Sequence, residues 1–316
     1  MSTTPKVSVI IPVYNRVHCI TDALESVLQQ TYRNIEIIVI DDGSTDATRE
    51  VLAPYRHKIT YIYQDNAGPA RARNNGIMRS SGAFIAFLDS DDLWSPEKIE
   101  QQVKAFMEDP QLGIVATNVM IRYPGNDVPT GFEAMDTATI RERFLDEFLM
   151  VTSSVMIRKA CLEEVGLFNE SLYYAEDLDL FYRVARRYHA RILPAYLTVN
   201  KREKEKNLMT DPSKRARLVA DTLACFETLF AYPENRTKTE RRKNRLRTFY
   251  RWIGVSDLYA NPKFARRYLM KALLLQPRDW RLYVPLLKSF VLPTAPYHYL
   301  KKVKMKVARD TTAAAV

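Results

Sequence analysis

Short apolar runs punctuate the first half of the chain: "VSVIIPV" (7–13), "IEIIVI" (35–40), "ITYIY" (59–63) and "AFIAFL" (83–88). Val- and Ile-rich runs of this length predict strands buried on both faces, and the amphipathic stretches between them predict helical crossovers. The expected architecture is therefore α/β, a mostly parallel sheet flanked by helices. "GIVATNVMI" (113–121) and "TSSVMIR" (152–158) predict further strands of the same sheet. From about Asp211 the strand pattern stops. Apolar residues recur there at three-to-four spacing between Pro and Asn-Pro breaks, which predicts successive helices and a last, strongly basic one in "YHYLKKVKMKVARD". These patterns divide the chain into a catalytic-type α/β domain, 1–205, and an all-helical extension, 206–316.

Charge sharpens that division. Residues 201–316 hold 27 Lys and Arg against 10 Asp and Glu, net +17, which leaves 20 against 27, net −7, for residues 1–200. An acidic half followed by a basic one points to an anionic surface as partner of the second half, or else to a solvated helical surface. Three widely spaced cysteines, Cys19, Cys161 and Cys225, beside four histidines, suit neither a disulfide framework nor a Cys/His zinc site, and a reducing cytosol is expected. The first residues lack the basic start and cleavage site of a signal peptide, and no stretch reaches eighteen apolar residues. The expected location is cytoplasmic, with the basic half at the cytoplasmic face of a membrane.

Ligands of open α/β sheets sit beyond the carboxyl ends of the strands. Four such ends carry polar clusters here: Pro12 to Asn15, Asp41 to Ser44, Gln64 to Gly68, and Asp89 to Asp92. Gly43, Gly68 and Pro69 read as turn formers. Neither a G-x-G-x-x-G nor a G-x-x-x-x-G-K-[ST] loop occurs, so a phosphorylated ligand would need a metal to neutralise it. Asp89 and Asp91, two apart at a strand end, suit a magnesium or manganese ion completed by phosphate oxygens and water. Asp92 reads equally as a metal contact or as a cap on the helix entered through Ser95 and Pro96.

"VSVIIPVYN", "IEIIVIDDGSTD", "DNAGPARARNNGI", "FIAFLDSDD" and "YYAEDLDLFYR" (173–183) occur in the order and spacing of family-2 glycosyltransferases of the GT-A fold, which the chain resembles over roughly residues 5–200. The resemblance implies a nucleotide-activated sugar as donor and a D-x-D motif that holds a divalent cation, Mn²⁺ or Mg²⁺, on its diphosphate. It implies that Pro12 and Tyr14 line the nucleobase pocket, that Asp42 accepts a hydrogen bond from the base while Asp41 serves structure, and that Arg73 and Asn74 lie near the nucleotide, with Arg71 as substitute for Arg73. Asp89 would contact ribose or metal, and Asp91 would ligate the metal directly. Asp177 would be the general base that deprotonates the acceptor hydroxyl for an inverting attack, with Glu176 as its orienting neighbour. Leu178, Phe181, Ala185 and Tyr188 follow helical spacing, so Asp177 lies near a helix N-terminus, where an ionised carboxylate is favoured. Asp179 reads as a surface charge or an ion-pair partner of Arg183.

One departure is visible. Many relatives place a histidine after this helix, whereas "YLTVNKREKEKNL" has none, leaving Lys201 or Arg202 as the available cations. The chain also lacks the Q-x-x-R-W motif of processive synthases: "TFYRW" has Thr248 for Gln and "QPRDW" has Asp279 for Arg. The expected activity is transfer of one sugar, with inversion, to a glycan or lipid-linked acceptor in bacterial-type cell-surface polysaccharide or glycolipid assembly. The alternatives are a nucleotidyltransferase acting on a sugar phosphate and a non-catalytic nucleotide-sugar binding module. Phe132 and Phe148, in the loop 123–148, could stack on an acceptor sugar or fill core. Expected partners are thus the nucleotide sugar, the acceptor, an anionic membrane surface and, through the helical region, a second copy; nucleic acid is not expected.

Overall fold

The computed structural model describes residues 4–201 and 214–291. The chain forms two compact units, 1–229 and 230–316. The junction expected at 205/206, Arg202 and the basic tail helix lie outside the described residues.

The first unit is built on nine strands: β1 Val7–Val13, β2 Ile35–Asp41, β3 Thr60–Tyr63, β4 Phe84–Phe87, β5 Asp92–Trp94, β6 Leu112–Tyr123, β7 Asn126–Thr130, β8 Met156–Arg158 and β9 His189–Lys201. Its helices are α1 Ile20–Leu28, α2 Thr48–Val51, α3 Pro69–Arg79, α4 Lys98–Glu108, α5 Thr137–Phe144, α6 Lys159–Val165, α7 Glu176–Arg187 and, running into the second unit, α8 Arg215–Ala231. The sheet order is β3-β2-β1-β4-β8-β6-β9-β5, with β7 on the free end of β6.

Alternation along the strands explains the layers. Val7, Val9, Ile11 and Val13 share one face with Ile37, Val39, Phe84 and Ala86 and bury it under Leu24, Val27, Ile99 and Phe106 from α1 and α4. Ile38 and Ile40 face the other way, onto Ala72 of α3. Of the four parallel strands, β3, at one end of the sheet, is the one that is half exposed.

The parallel expectation holds for β3-β2-β1-β4, as the sequence runs imply. Beyond β4 the sheet is mixed, because β8 pairs antiparallel with both β4 and β6, β5 pairs antiparallel with β9, and β7 closes a hairpin on β6. Residues 152–158 are not one strand: Thr152–Ser154 form a 3₁₀ turn and only Met156–Arg158 is extended. The long strand β9 was not legible in the sequence. Pro194 interrupts it, and the register on β6 shifts between Thr117↔Leu193 and Asn118↔Tyr196, so that it reads as neither helix nor clean strand.

The second unit packs α9 Thr239–Ser256, α10 Pro262–Leu275 and α11 Tyr283–Val291 around Leu258, Ala265, Leu269, Ala272, Leu282 and Leu286. Asn261 caps α10 by accepting from the Phe264 N–H, and Pro262 takes the first helical position. Asp279, buried, accepts from Arg247 at 2.8 Å and Arg281 at 2.9 Å. Among the described residues no helix is long and apolar enough to cross a membrane.

Helix α3 carries Arg73 and sits close against β1, because a Cβ on Gly76 would lie 2.6 Å from Cγ2 of the fully buried Ile10. Gly76→Ala should therefore destabilise the protein by about 1–2 kcal/mol in denaturant unfolding, the overpacking cost exceeding the gain in helix propensity. An unchanged or higher midpoint would contradict the close approach.

Candidate functional site

Parallel register brings the four polar strand ends to one edge: Val13 pairs with Asp41, Asp41 with Tyr63, and Ile10 with Phe87 just before Asp89. Two residues there adopt positive φ without being glycine, Asn15 at 51° and Ala175 at 60°. Such strain persists only where the surroundings over-determine it. Asn15 is held by its side-chain oxygen accepting from the N–H groups of Thr45 and Asp46, and by its own N–H donating to the Ser44 hydroxyl. The turn after β1 is thereby fixed to the turn after β2, while the neighbouring Tyr14 ring stands 46% exposed above it and Pro12 is half-buried.

The paired aspartates after β2 both have internal work. Asp41 accepts from the Ser44 N–H and the Tyr61 hydroxyl, a structural role. Asp42 accepts from Gln64, Ala67 N–H and Gly68 N–H, which shapes the 64–68 loop and fills three of the about four acceptor positions of a carboxylate. Gly43 and Gly68 take positive φ, as turn formers should.

Arg73 is the centre of the site. Its buried guanidinium donates to Asp89 Oδ1 and to Glu176 Oε1, each at 2.7 Å. Its Nε–H has no acceptor among the described residues. Arg71, by contrast, is exposed and lines a groove of about 750 Å³ with Gln64, Asn75, Arg79 and Glu170; that groove contains none of the acidic cluster. Asn74 is buried beside Arg73 and clamps the segment before α7: it donates to Phe168 O and Glu170 and accepts from Phe168 N–H. The structure thus places Asn74 in a structural clamp, with its amide hydrogens already committed.

Asp89, Asp91, Asp92, Glu176 and Asp177 outnumber the cations Arg73 and Arg16, and the excess shows in their protonation. Burial and the charges of Asp89 and Asp91 push Asp92 up to about 8. Asp92 is neither a helix cap nor exposed: it opens β5, and α4 begins only at Lys98. Its carboxylate accepts from the Ser153 hydroxyl at 2.5 Å and from Asn200 at 2.8 Å, so it holds the cluster from below. Asp91 lies at the rim, 3.8 Å from the Arg16 guanidinium. Among the described residues no three His, Cys, Asp or Glu side chains converge as a metal cage. Asp89 and Asp91 remain, and two carboxylates suffice for Mg²⁺ or Mn²⁺ when substrate phosphates complete the shell. The surplus negative charge of the whole acidic cluster fits a cation.

Asp177 occupies the first turn of α7 and is partly open to solvent. Thr152 donates its hydroxyl to Asp177 Oδ2 at 3.1 Å, and the Leu178 N–H donates to Oδ1 at 2.7 Å. Burial raises its pKa against the lowering effects of Arg73 and these donors. Glu176, fully packed, is pushed up to about 7 by burial and by the charge of Asp177, against the pull of Arg73. Asp179 is the ion-pair partner of Arg183, at 2.8 Å.

Sequence reasoning missed the 3₁₀ turn. Thr152 holds Asp177, and Ser153 accepts from the Asp89 N–H at 3.0 Å while donating to Asp92, so one dipeptide joins the two acidic groups. The run of three hydroxyl residues in "TSSVMIR" was the available signal, since Ser and Thr favour local turns over strand ladders. Arg16 and Asn200 were missed for a different reason: nothing local marks them. In the loop 123–148, Phe132 is pinned by two backbone bonds to Asn118 and covered by Arg143, whereas the Phe148 ring is exposed. Lys201 pairs with Asp22 at 2.8 Å.

The raised Glu176 fixes the sign of a pH effect. Folded, it keeps its proton from about 4.5 to about 7, whereas the unfolded chain loses it near 4.5, so stability falls as pH rises through that window. Glu176→Gln should reduce the slope of unfolding free energy against pH across it. Superimposable pH profiles of variant and parent would contradict the assignment.

Known proteins resemble this chain in sequence and in fold. The family profile described as Glycosyl transferase family 2 matches residues 8–166. An uncharacterized glycosyltransferase of Rickettsia typhi is 34% identical over 203 residues, covering 58% of this chain and 59% of that protein, so the match spans about three fifths of the relative. A Bacillus subtilis protein named provisionally as the teichuronic acid biosynthesis glycosyltransferase TuaG is 44% identical over 108 residues, 33% of this chain and 43% of its own. Among solved structures, Staphylococcus aureus TarS 1–349 in complex with UDP-GlcNAc aligns with a TM-score of 0.66 at 20% identity over 90% of this chain and 89% of that one. The Pyrobaculum calidifontis mannosyltransferase PcManGT, in complex with GDP-Man and Mn²⁺, aligns at 0.58 and 19% identity over 92% and 87%. These two likenesses show a shared GT-A fold. With half of its length matched by the profile, and with its motifs at one sheet edge, the chain belongs to glycosyltransferase family 2.

Proposed function

We propose that this enzyme transfers a single sugar from a nucleoside-diphosphate sugar to an acceptor hydroxyl with inversion, in the assembly of a bacterial-type cell-surface polysaccharide or glycolipid at the cytoplasmic face of the membrane. The observation that carries the reading is the Arg73 bridge, which sets the carboxylate at the D-x-D edge, Asp89, and the one beside the base, Glu176, on the same guanidinium. The nucleotide complexes of TarS and PcManGT and the name of TuaG support the substrate class.

In this reading the exposed Tyr14 ring and Pro12 form a platform for the nucleobase, and the remaining acceptor position of Asp42 takes a hydrogen bond from it. Asp89 and Asp91 would hold a divalent cation, which when bound would supply positive charge to the donor diphosphate. Asp177, ionised and oriented by Thr152 and the Leu178 N–H, accepts the proton of the acceptor hydroxyl. That oxygen forms its bond to the anomeric carbon as the bond to the nucleoside diphosphate breaks on the opposite face. A carboxyl whose pKa is raised by burial is the stronger base for this step once ionised. Glu176, tied to Arg73, orients Asp177 without contacting the reacting atoms.

Two variants test the roles separately. Asp177→Asn should lower transfer by roughly 10²–10⁴-fold while donor affinity measured by calorimetry stays within about twofold. Loss of both together would make Asp177 a structural residue. Asp91→Asn should lower turnover by roughly 10²–10³-fold, and excess chelator should do the same to the parent enzyme. Full activity in chelator would remove the cation from the mechanism, and release of pyrophosphate rather than nucleoside diphosphate would favour a nucleotidyltransferase.

A further inference from the structure

The second unit exposes apolar side chains far more densely than the first. Of the large hydrophobic residues that stand exposed among the described residues, nine lie in 230–291, including Leu274, Trp280, Tyr283, Val284, Leu287 and Phe290, and eight in all the rest. Their placement is patterned. Leu282, just before α11, and Leu286 and Ser289 within it are buried, Leu282 and Leu286 in the unit's core, whereas Tyr283, Val284, Leu287 and Phe290 of α11 are exposed, with Trp280 (74% exposed) on the turn before it and Leu274 (76%) at the end of α10.

Charge around this face has one sign. Residues 262–291 contain seven Lys and Arg and a single acid, Asp279, which is buried and paired with Arg247 and Arg281. Arg278, Arg281 and Lys288 are exposed beside the apolar residues, and the Arg266 guanidinium lies 3.8 Å from the Phe290 ring. A protein partner or a second copy would meet these cations with its own carboxylates, and from residues 262–291 an identical copy offers only Asp279, buried and already paired. An anionic bilayer offers both things the face needs: an apolar layer and, above it, a sheet of negative headgroups.

We infer that α11, the turn through Trp280 and the end of α10 form an interfacial membrane-docking face, with Trp280, Val284 and Leu287 entering the acyl boundary and Arg278, Arg281 and Lys288 at the headgroups. The inference deepens the proposed function, whose polysaccharide or glycolipid acceptor class includes lipid-linked glycans. Its test reads no catalysis, so the two fail independently.

The test uses the full chain and sedimentation with vesicles of phosphatidylcholine alone or with about one third phosphatidylglycerol. The chain should sediment with the anionic vesicles only, and binding should collapse as ionic strength rises from about 0.1 to about 1 M, where the screening length falls from about 10 to about 3 Å. Trp280→Ser/Val284→Ser/Leu287→Ser, all at exposed positions, should weaken binding by roughly tenfold or more with unfolding midpoint and donor affinity unchanged. Arg278→Gln/Lys288→Gln should weaken binding to anionic vesicles and lower its salt dependence. Equal recovery with both vesicle types, or undiminished binding by the apolar triple variant, would overturn the proposal. So would a parent chain that is dimeric without lipid and made monomeric by the triple variant, since the face would then be a contact between copies.

Discussion

A buried guanidinium with two carboxylates is the constraint on which this site depends. Arg73 comes from α3, Asp89 from the end of β4 and Glu176 from the first turn of α7, three elements far apart in the chain. Removing one member of such a group leaves an uncompensated buried charge, which typically costs about 3–5 kcal/mol. The close seat of α3 on β1 through Gly76, and the Asn74 clamp on Phe168 and Glu170, keep the arginine and α7 where these bonds need them.

Around that centre the protein accumulates more negative charge than it neutralises. Asp92 and Glu176 respond by holding protons at pH values where free carboxyls are ionised. Asp89 and Asp91, at the rim, and Asp177 are the members partly open to solvent. The hydroxyls of Thr152 and Ser153 tie the partly exposed Asp177 and the backbone of Asp89 to the buried Asp92. Ala175, at positive φ, directly precedes Glu176 and Asp177, and Asn15, at positive φ, directly precedes Arg16 and is held by hydrogen bonds to residues 44–46.

Much of this was legible in the chain because it is local. Continuous apolar runs mark β1, β2 and β4, the polar residues after them mark the sheet edge, and the helical spacing after residue 211 corresponds to α8 to α11. What escaped depends on distant pairing. Strand β9 is broken by Pro194 and exists through its ladder with β6, and β5 is three residues defined by β9. Asp92 resembles a cap in sequence, yet the strand pairing turns it inward to Ser153 and Asn200. Asn74 stands beside Arg73 in sequence, but successive helical residues point in different directions, and its side chain serves the 168–170 segment instead.

A double-mutant cycle on unfolding free energy tests the central bridge most directly, comparing Arg73→Gln, Glu176→Gln and the pair at pH 8. With the bridge as described, Arg73→Gln strands Glu176 as a buried charge, and adding Glu176→Gln removes it. The double variant should therefore be more stable than the sum of the single losses allows, by about 1–3 kcal/mol. Additive losses within about 0.5 kcal/mol would contradict the coupling on which the account of the site rests.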